Sequence, residues 1–115
     1  MSITIYHNPR CSKSRQTLAL LQDRGVEPVV IEYLKSPPDA ATLKKILSQL
    51  GMQPRELLRK KEAAYKDKGL DRPGLSDDEL ITAMITDPVL IERPIVIANG
   101  RAAIGRPPEK VLEIL

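Results

Sequence analysis

The sequence predicts one α/β domain over residues 1–115: a mixed four-stranded sheet flanked by helices, with a helical insertion at about 52–88, before a C-terminal β-hairpin. Three observations lead there. A strand-like start is followed by a helical pattern and then a β-branched run, which is a β-α-β unit whose right-handed crossover makes the strands parallel. Asn99-Gly100 sits between two short apolar runs, a strong hairpin signal. The 115 residues suffice for one core and not for two.

Each element has a local reason. From Ser2 to Tyr6, Ile3 and Ile5 alternate with polar neighbours, which suits a first strand. His7 to Cys11 contains Asn-Pro and reads as a loop. Ser12 or Ser14 is placed to cap a helix reaching about Arg24, with Leu18 and Leu21 on one face and Gly25 as the stop. Pro28 to Tyr33 is the second strand. Asp39 follows a Ser-Pro-Pro turn and opens a helix whose Leu43, Ile46, Leu47 and Leu50 share a face, closed by Gly51. Pro54 to about Lys61 predicts a short basic helix, and Lys66 to Gly74 a surface loop. Ser76 and Glu79 have capping-box spacing and open a helix that ends before Pro88. Ile95–Ala98 and Arg101–Ile104 form the hairpin. Pro107-Pro108 starts a last amphipathic helix with Val111, Leu112 and Leu115 inward. This is the thioredoxin order of elements, so the fold is expected to be thioredoxin-like.

Composition narrows the function. There is no Phe or Trp and only three Tyr, so the core is aliphatic and a base-stacking nucleic-acid platform is disfavoured. The net charge of +3 tolerates an anionic substrate without demanding nucleic acid or a membrane. No apolar run is long enough to span a bilayer, and the start has no basic n-region, so a cytoplasmic setting is expected. One Cys and one His leave no ordinary zinc site and no intrachain disulfide, so no bound metal or cofactor is expected.

The chemistry centres on Cys11, at the predicted start of the first helix. Free cysteine has a pKa of about 8.5, so roughly 3% is thiolate at pH 7. Unpaired helix amides favour an anion there, and Arg10, Lys13 and Arg15 add positive charge. A shift of about two units needs roughly 2.7 kcal/mol, more than one such donor supplies. Ser14 stands where a C-x-x-C pair has its second sulfur. Its hydroxyl is able to donate to a thiolate, but another molecule must resolve any mixed disulfide. The competing reading of Cys11 is a small buried hydrophobe, against which its charged neighbours argue. His7 and the two serines also have plain structural readings.

The segment Tyr6-His7-Asn8-Pro9-Arg10-Cys11-Ser12-Lys13-Ser14-Arg15 resembles the active-site segment of the glutaredoxin-coupled arsenate reductase (ArsC-like) family. Leu57-Leu58-Arg59-Lys60, Ile91-Glu92-Arg93-Pro94-Ile95-Val96 and Gly105-Arg106-Pro107 resemble later motifs of that family in the same order. The resemblance implies a thioredoxin-like fold and reduction of arsenate to arsenite, with glutathione as co-substrate and glutaredoxin as transient partner. It implies Cys11 as nucleophile, Arg59, Arg93 and Arg106 as oxyanion ligands, and His7 and Ser14 as support for the thiolate. Pro94 matches the cis-proline facing the active-site loop. Two departures stand out: Lys13 occupies a position where small residues are more usual, and the chain stops at Leu115, where some members run on. Two other functions compete: a monothiol glutathionyl-transfer or disulfide oxidoreductase using the same loop, and a non-enzymatic regulator like the Spx proteins, whose C-x-x-C switch Ser14 removes. Without the resemblance, Arg59 reads as one charge on a solvated helix face, while Arg93 and Arg106 are better placed.

Overall fold

In the computed structural model, which describes residues 2–115, the strands follow the order β2-β1-β3-β4. Strand β1 (Thr4–His7) pairs in parallel with β2 (Val29–Glu32) and antiparallel with β3 (Ile95–Ala98), which pairs antiparallel with β4 (Arg101–Ile104). The sheet is thus mixed, and β1 is flanked on both edges. That position explains why Ile5, Tyr6 and His7 are all buried, where simple alternation buries every second residue. The hairpin forms because Asn99 and Gly100 both take positive φ, 55° and 73°, as a two-residue turn of the right twist requires.

Helix α1 (Ser12–Asp23) connects β1 to β2. Its cap is Cys11 itself, extended at φ −92° and making no side-chain capping bond, rather than either serine. Gly25, at φ +76°, ends it, and the Val26 N–H turns back to the Leu21 carbonyl at 2.9 Å. Leu21 packs with Ile5, Val96, Ala98, Val111 and Ile114 as one aliphatic core. The last segment, Pro108–Ile114, is a 3₁₀ helix where an α-helix was expected. Three residues per turn put Pro108, Val111 and Ile114 on one face, and these are the buried ones. Leu112 is only half-buried and Leu115 is exposed, because the inward stripe has a period of three and not 3.6.

The chain divides into two compact units, one made of residues up to Ser36 with Arg93–Leu115, the other Pro37–Glu92. The whole sheet lies in the first. The second is helical: α2 (Ala40–Leu50), α3 (Pro54–Leu57), α4 (Ala63–Asp67), α5 (Asp77–Thr86) and a 3₁₀ turn at Pro88–Leu90. It begins earlier than residue 52, because α2 packs on α5. Asp39 caps α2 by accepting from the Thr42 N–H at 2.8 Å, and Ser76 with Glu79 forms the capping box of α5.

The expected basic helix from Pro54 stops at Leu57. Leu58 turns extended and forms an antiparallel bridge with Ile91, with Arg59 N–H to Leu90 O at 2.7 Å and Glu92 N–H to Leu57 O at 3.0 Å. Leu57 and Leu58 are both buried at this turn from helix to bridge. The polar stretch expected as a loop from Lys66 begins inside α4.

Candidate active site

Cys11 ends the loop that leaves β1 and starts α1. The Cys11 N–H donates to the Asn8 carbonyl at 3.0 Å, which closes the turn and aims the first helix amides at the sulfur. Only 9% of Cys11 is exposed, so it is buried, but polar groups surround the sulfur. The Arg106 Nη2 donates to Sγ at 3.6 Å, and the Arg93 side chain and the N–H groups of Ser14 and Lys13 also bond to it. Burial is the strongest influence on the thiol and works against ionisation. The Ser14 N–H, the bond and charge of Arg93 and the Lys13 N–H together outweigh it, holding the pKa below its ordinary value.

The positive charge on the sulfur thus comes from remote arginines rather than from its neighbours in sequence. Lys13 contributes its backbone N–H. The Arg15 guanidinium donates to the Pro9 carbonyl at 3.0 Å. Arg93 enters β3 and Arg106 leaves β4, so both lie at the open end of the β3–β4 hairpin, with Arg106 Nε on the Arg93 carbonyl at 2.8 Å. Gly105 makes that approach possible. Its N–H donates to the Pro94 carbonyl at 2.9 Å, and a Cβ there would fall on Thr17 Oγ1 and 2.8 Å from Pro94 Cγ. The Arg93–Pro94 bond is cis, and so is Arg106–Pro107, which no sequence signal singled out.

Ser14 works differently from its expected role. Its Oγ accepts the Asn8 N–H at 3.0 Å and lies 2.7 Å from His7 Nδ1. Burial lowers the His7 pKa; Glu32 opposes this in part and Arg15 adds to it, so the ring is neutral at pH 7. A neutral ring and the hydroxyl share one hydrogen bond, whose donor is set by the ring tautomer. The hydroxyl is therefore committed to His7 and Asn8, while the backbone of Ser14 serves the sulfur. His7 acts on Cys11 only through this loop.

Arg59 belongs to the helical unit. Its guanidinium bonds Glu92 Oε1 at 2.9 Å and Glu62 Oε1 at 3.2 Å, with its side chain 20% exposed. It is a paired, largely covered residue, not a free charge on a helix face. The structure thus brings His7, Cys11, Ser14, Arg93, Pro94 and Arg106 together in one unit, and places Arg59 among carboxylates in the other. Sequence reasoning anticipated the helix amides but missed the close approach at Gly105, at which only the Gly-Arg-Pro spacing hinted. Among the described residues there is no group of three or more potential metal ligands, and no helix is long and apolar enough to cross a membrane.

A single ionisable thiol at the head of the helix following β1, on a mixed sheet of this order, defines a thioredoxin-like thiol protein. The ArsC family model matches residues 6–114, so the chain belongs to the ArsC family. It is 60% identical to the Escherichia coli K12 "uncharacterized protein YfgD", over 98% of this chain and 96% of that one. It is 50% identical to the arsenate reductase of Neisseria meningitidis serogroup A, over 98% of this chain and 97% of that one. The structure of the arsenate reductase from Vibrio cholerae superposes with a TM-score of 0.97 at 55% identity, covering 100% of this chain and 98% of that one.

Proposed function

We propose that this protein reduces arsenate to arsenite, with the Cys11 thiolate as nucleophile. One observation carries the reading: a lone thiol with a lowered pKa, bonded by two guanidinium side chains drawn from distant parts of the sequence. A thiolate attacking an anion meets repulsion, and planar guanidiniums offset it by bidentate bonds to a tetrahedral oxyanion. Arg93 and Arg106 take that part, together with the part that the resemblance gives Arg59.

The sequence of steps is this. Cys11 displaces one arsenate oxygen, which leaves as water after taking up protons. Glutathione then displaces a second oxygen from the arsenic of the adduct, and this oxygen also leaves as water after taking up protons. A glutaredoxin thiolate attacks the glutathione sulfur, so two electrons pass to arsenic(V), giving arsenic(III) and a mixed disulfide. Hydrolysis of the remaining sulfur–arsenic bond frees arsenite and restores Cys11. Overall, two thiols become one disulfide, and arsenate becomes arsenite and water. No second sulfur in this chain is needed. A cytoplasmic setting, where glutathione keeps thiols reduced, suits this chemistry.

The test is arsenate-dependent NADPH oxidation with glutathione, glutaredoxin and glutathione reductase. Wild type is expected to turn over and Cys11→Ser to be inactive. The absence of an arsenate-dependent rate from protein with reduced Cys11 overturns the reading.

A further inference from the structure

The loop that carries Cys11 is held through a buried hydroxyl. Ser14 is fully buried, and its Oγ lies 2.7 Å from His7 Nδ1 while accepting the Asn8 N–H at 3.0 Å. The Asn8 carbonyl in turn accepts the Cys11 N–H at 3.0 Å. His7 stands opposite Glu32 in the parallel register of β1 and β2, and the two residues line one cleft with Arg10 and Lys35. We propose that Glu32 is a positioning residue for Cys11: its carboxylate keeps the ring hydrogen of His7 on Nε2, so that Nδ1 accepts the Ser14 hydroxyl and Ser14 stays pinned beside the sulfur. The inference deepens the arsenate-reduction reading and rests on it only for the rate that Cys11 delivers.

Hydrogen-bond accounting favours this arrangement. A buried hydroxyl that accepts one N–H still has its own hydrogen to place. With the ring hydrogen on Nδ1, Ser14 Oγ would receive two donors, and its hydrogen would need a further acceptor in a fully covered site. With the ring hydrogen on Nε2, the hydroxyl and Nδ1 satisfy each other. The Nε2–H then needs a negative group of its own, because only 6% of His7 is exposed. Adjacent strands lie about 4.8 Å apart and paired residues share a face, so β2 presents a carboxylate to the ring. Among the described residues lining the cleft, Glu32 is the one carboxylate, while Arg10 and Lys35 are cations. Its field reaches the ring: burial lowers the His7 pKa, Glu32 raises it, and Arg15 of α1 lowers it. Lys35 lies 3.7 Å from Glu32, but an exposed pair of this kind is weak and does not tie the carboxylate up. At the far end of the chain of bonds, a pinned Ser14 keeps its own N–H on the Cys11 sulfur. Glu32 thus acts on the sulfur through two residues rather than by contact.

The experiment has two arms. The chain has one histidine, so two-bond ¹H–¹⁵N correlations of ¹⁵N-labelled protein report the His7 ring without ambiguity. Above neutral pH, wild type is expected to carry the hydrogen on Nε2. Glu32→Gln should move population to the Nδ1–H form and shift the ring titration to lower pH, and Glu32→Asp should restore the wild-type spectrum. Lys35→Ala, which leaves the carboxylate in place, should keep the wild-type tautomer. In steady-state assays, Glu32→Gln is expected to lower kcat about two- to tenfold with KM for arsenate unchanged, and Glu32→Asp to recover most of the loss. Wild type with the hydrogen on Nδ1, or Glu32→Gln with the wild-type tautomer, overturns the proposal. So does a changed tautomer with an unchanged rate, which confines Glu32 to a structural part. Absence of arsenate turnover in wild type overturns the functional reading instead, and the ring spectra still decide whether Glu32 holds the tautomer.

Discussion

At the scale of single residues, the site is a competition settled at one sulfur. Burying Cys11 penalises its anion, and two helix amides with the Arg93 side chain outweigh that penalty. The alkylation rate of wild type by iodoacetamide is therefore expected to rise with an inflection at lower pH than that of free cysteine measured alongside. Arg93→Lys keeps the charge and loses the planar fork. It is expected to move the inflection upward and to cut kcat/KM for arsenate about 10- to 100-fold, read from the same profile and the coupled assay. Much of this was legible beforehand. Cys11, Arg93 and Arg106 stood out by residue type and motif. The division of labour within Ser14 was not, because nothing in a sequence says whether a side chain or its own amide faces a neighbour. Arg59 shows the same gap: its carboxylate partner Glu92 lies 33 residues away in sequence.

At the scale of elements, the punctuation was readable because it is local. Asp39, Gly51, Ser76 and Asn99-Gly100 each fix their own backbone. The periods were less readable. The short apolar run near Leu115 fits both 3.0 and 3.6 residues per turn, and packing on β4 and α1 decides for the tighter helix. Val111→Ala should then cost about 2 kcal/mol, since the side chain is fully buried, while half-buried Leu112→Ala should cost less than about 1 kcal/mol. Urea unfolding of both variants checks this, and equal losses would contradict the 3₁₀ face. The bridge between Leu58 and Ile91 was hidden for another reason: its two halves are far apart in the chain, and neither alone reads as a strand.

For the molecule as a whole, titration ties the site to folding. The folded-state pKa of His7 lies below the unfolded value of 6.5, so the unfolded chain binds the extra proton first. Its contribution to stability is complete above pH 6.5 and is lost as the pH falls through the folded-state value. Cys11 has the same sign at the alkaline side: its contribution is complete above the ordinary thiol value and disappears as the pH falls through its lowered pKa. The melting temperature of wild type should therefore drop below about pH 6.5 more steeply than that of His7→Gln, as a pH series by calorimetry would read. A flat difference between the two proteins would contradict a neutral, buried imidazole.

The engagement of the Ser14 oxygen has a consequence for what this loop is able to become. That oxygen accepts the Asn8 amide at 3.0 Å and sits 2.7 Å from the imidazole of His7. Sulfur is larger and a far poorer acceptor, so Ser14→Cys strands a covered amide, at about 1–2 kcal/mol, before any dithiol chemistry begins. The route back to a self-resolving pair is uphill from its first step, which leaves the chain dependent on an outside electron carrier.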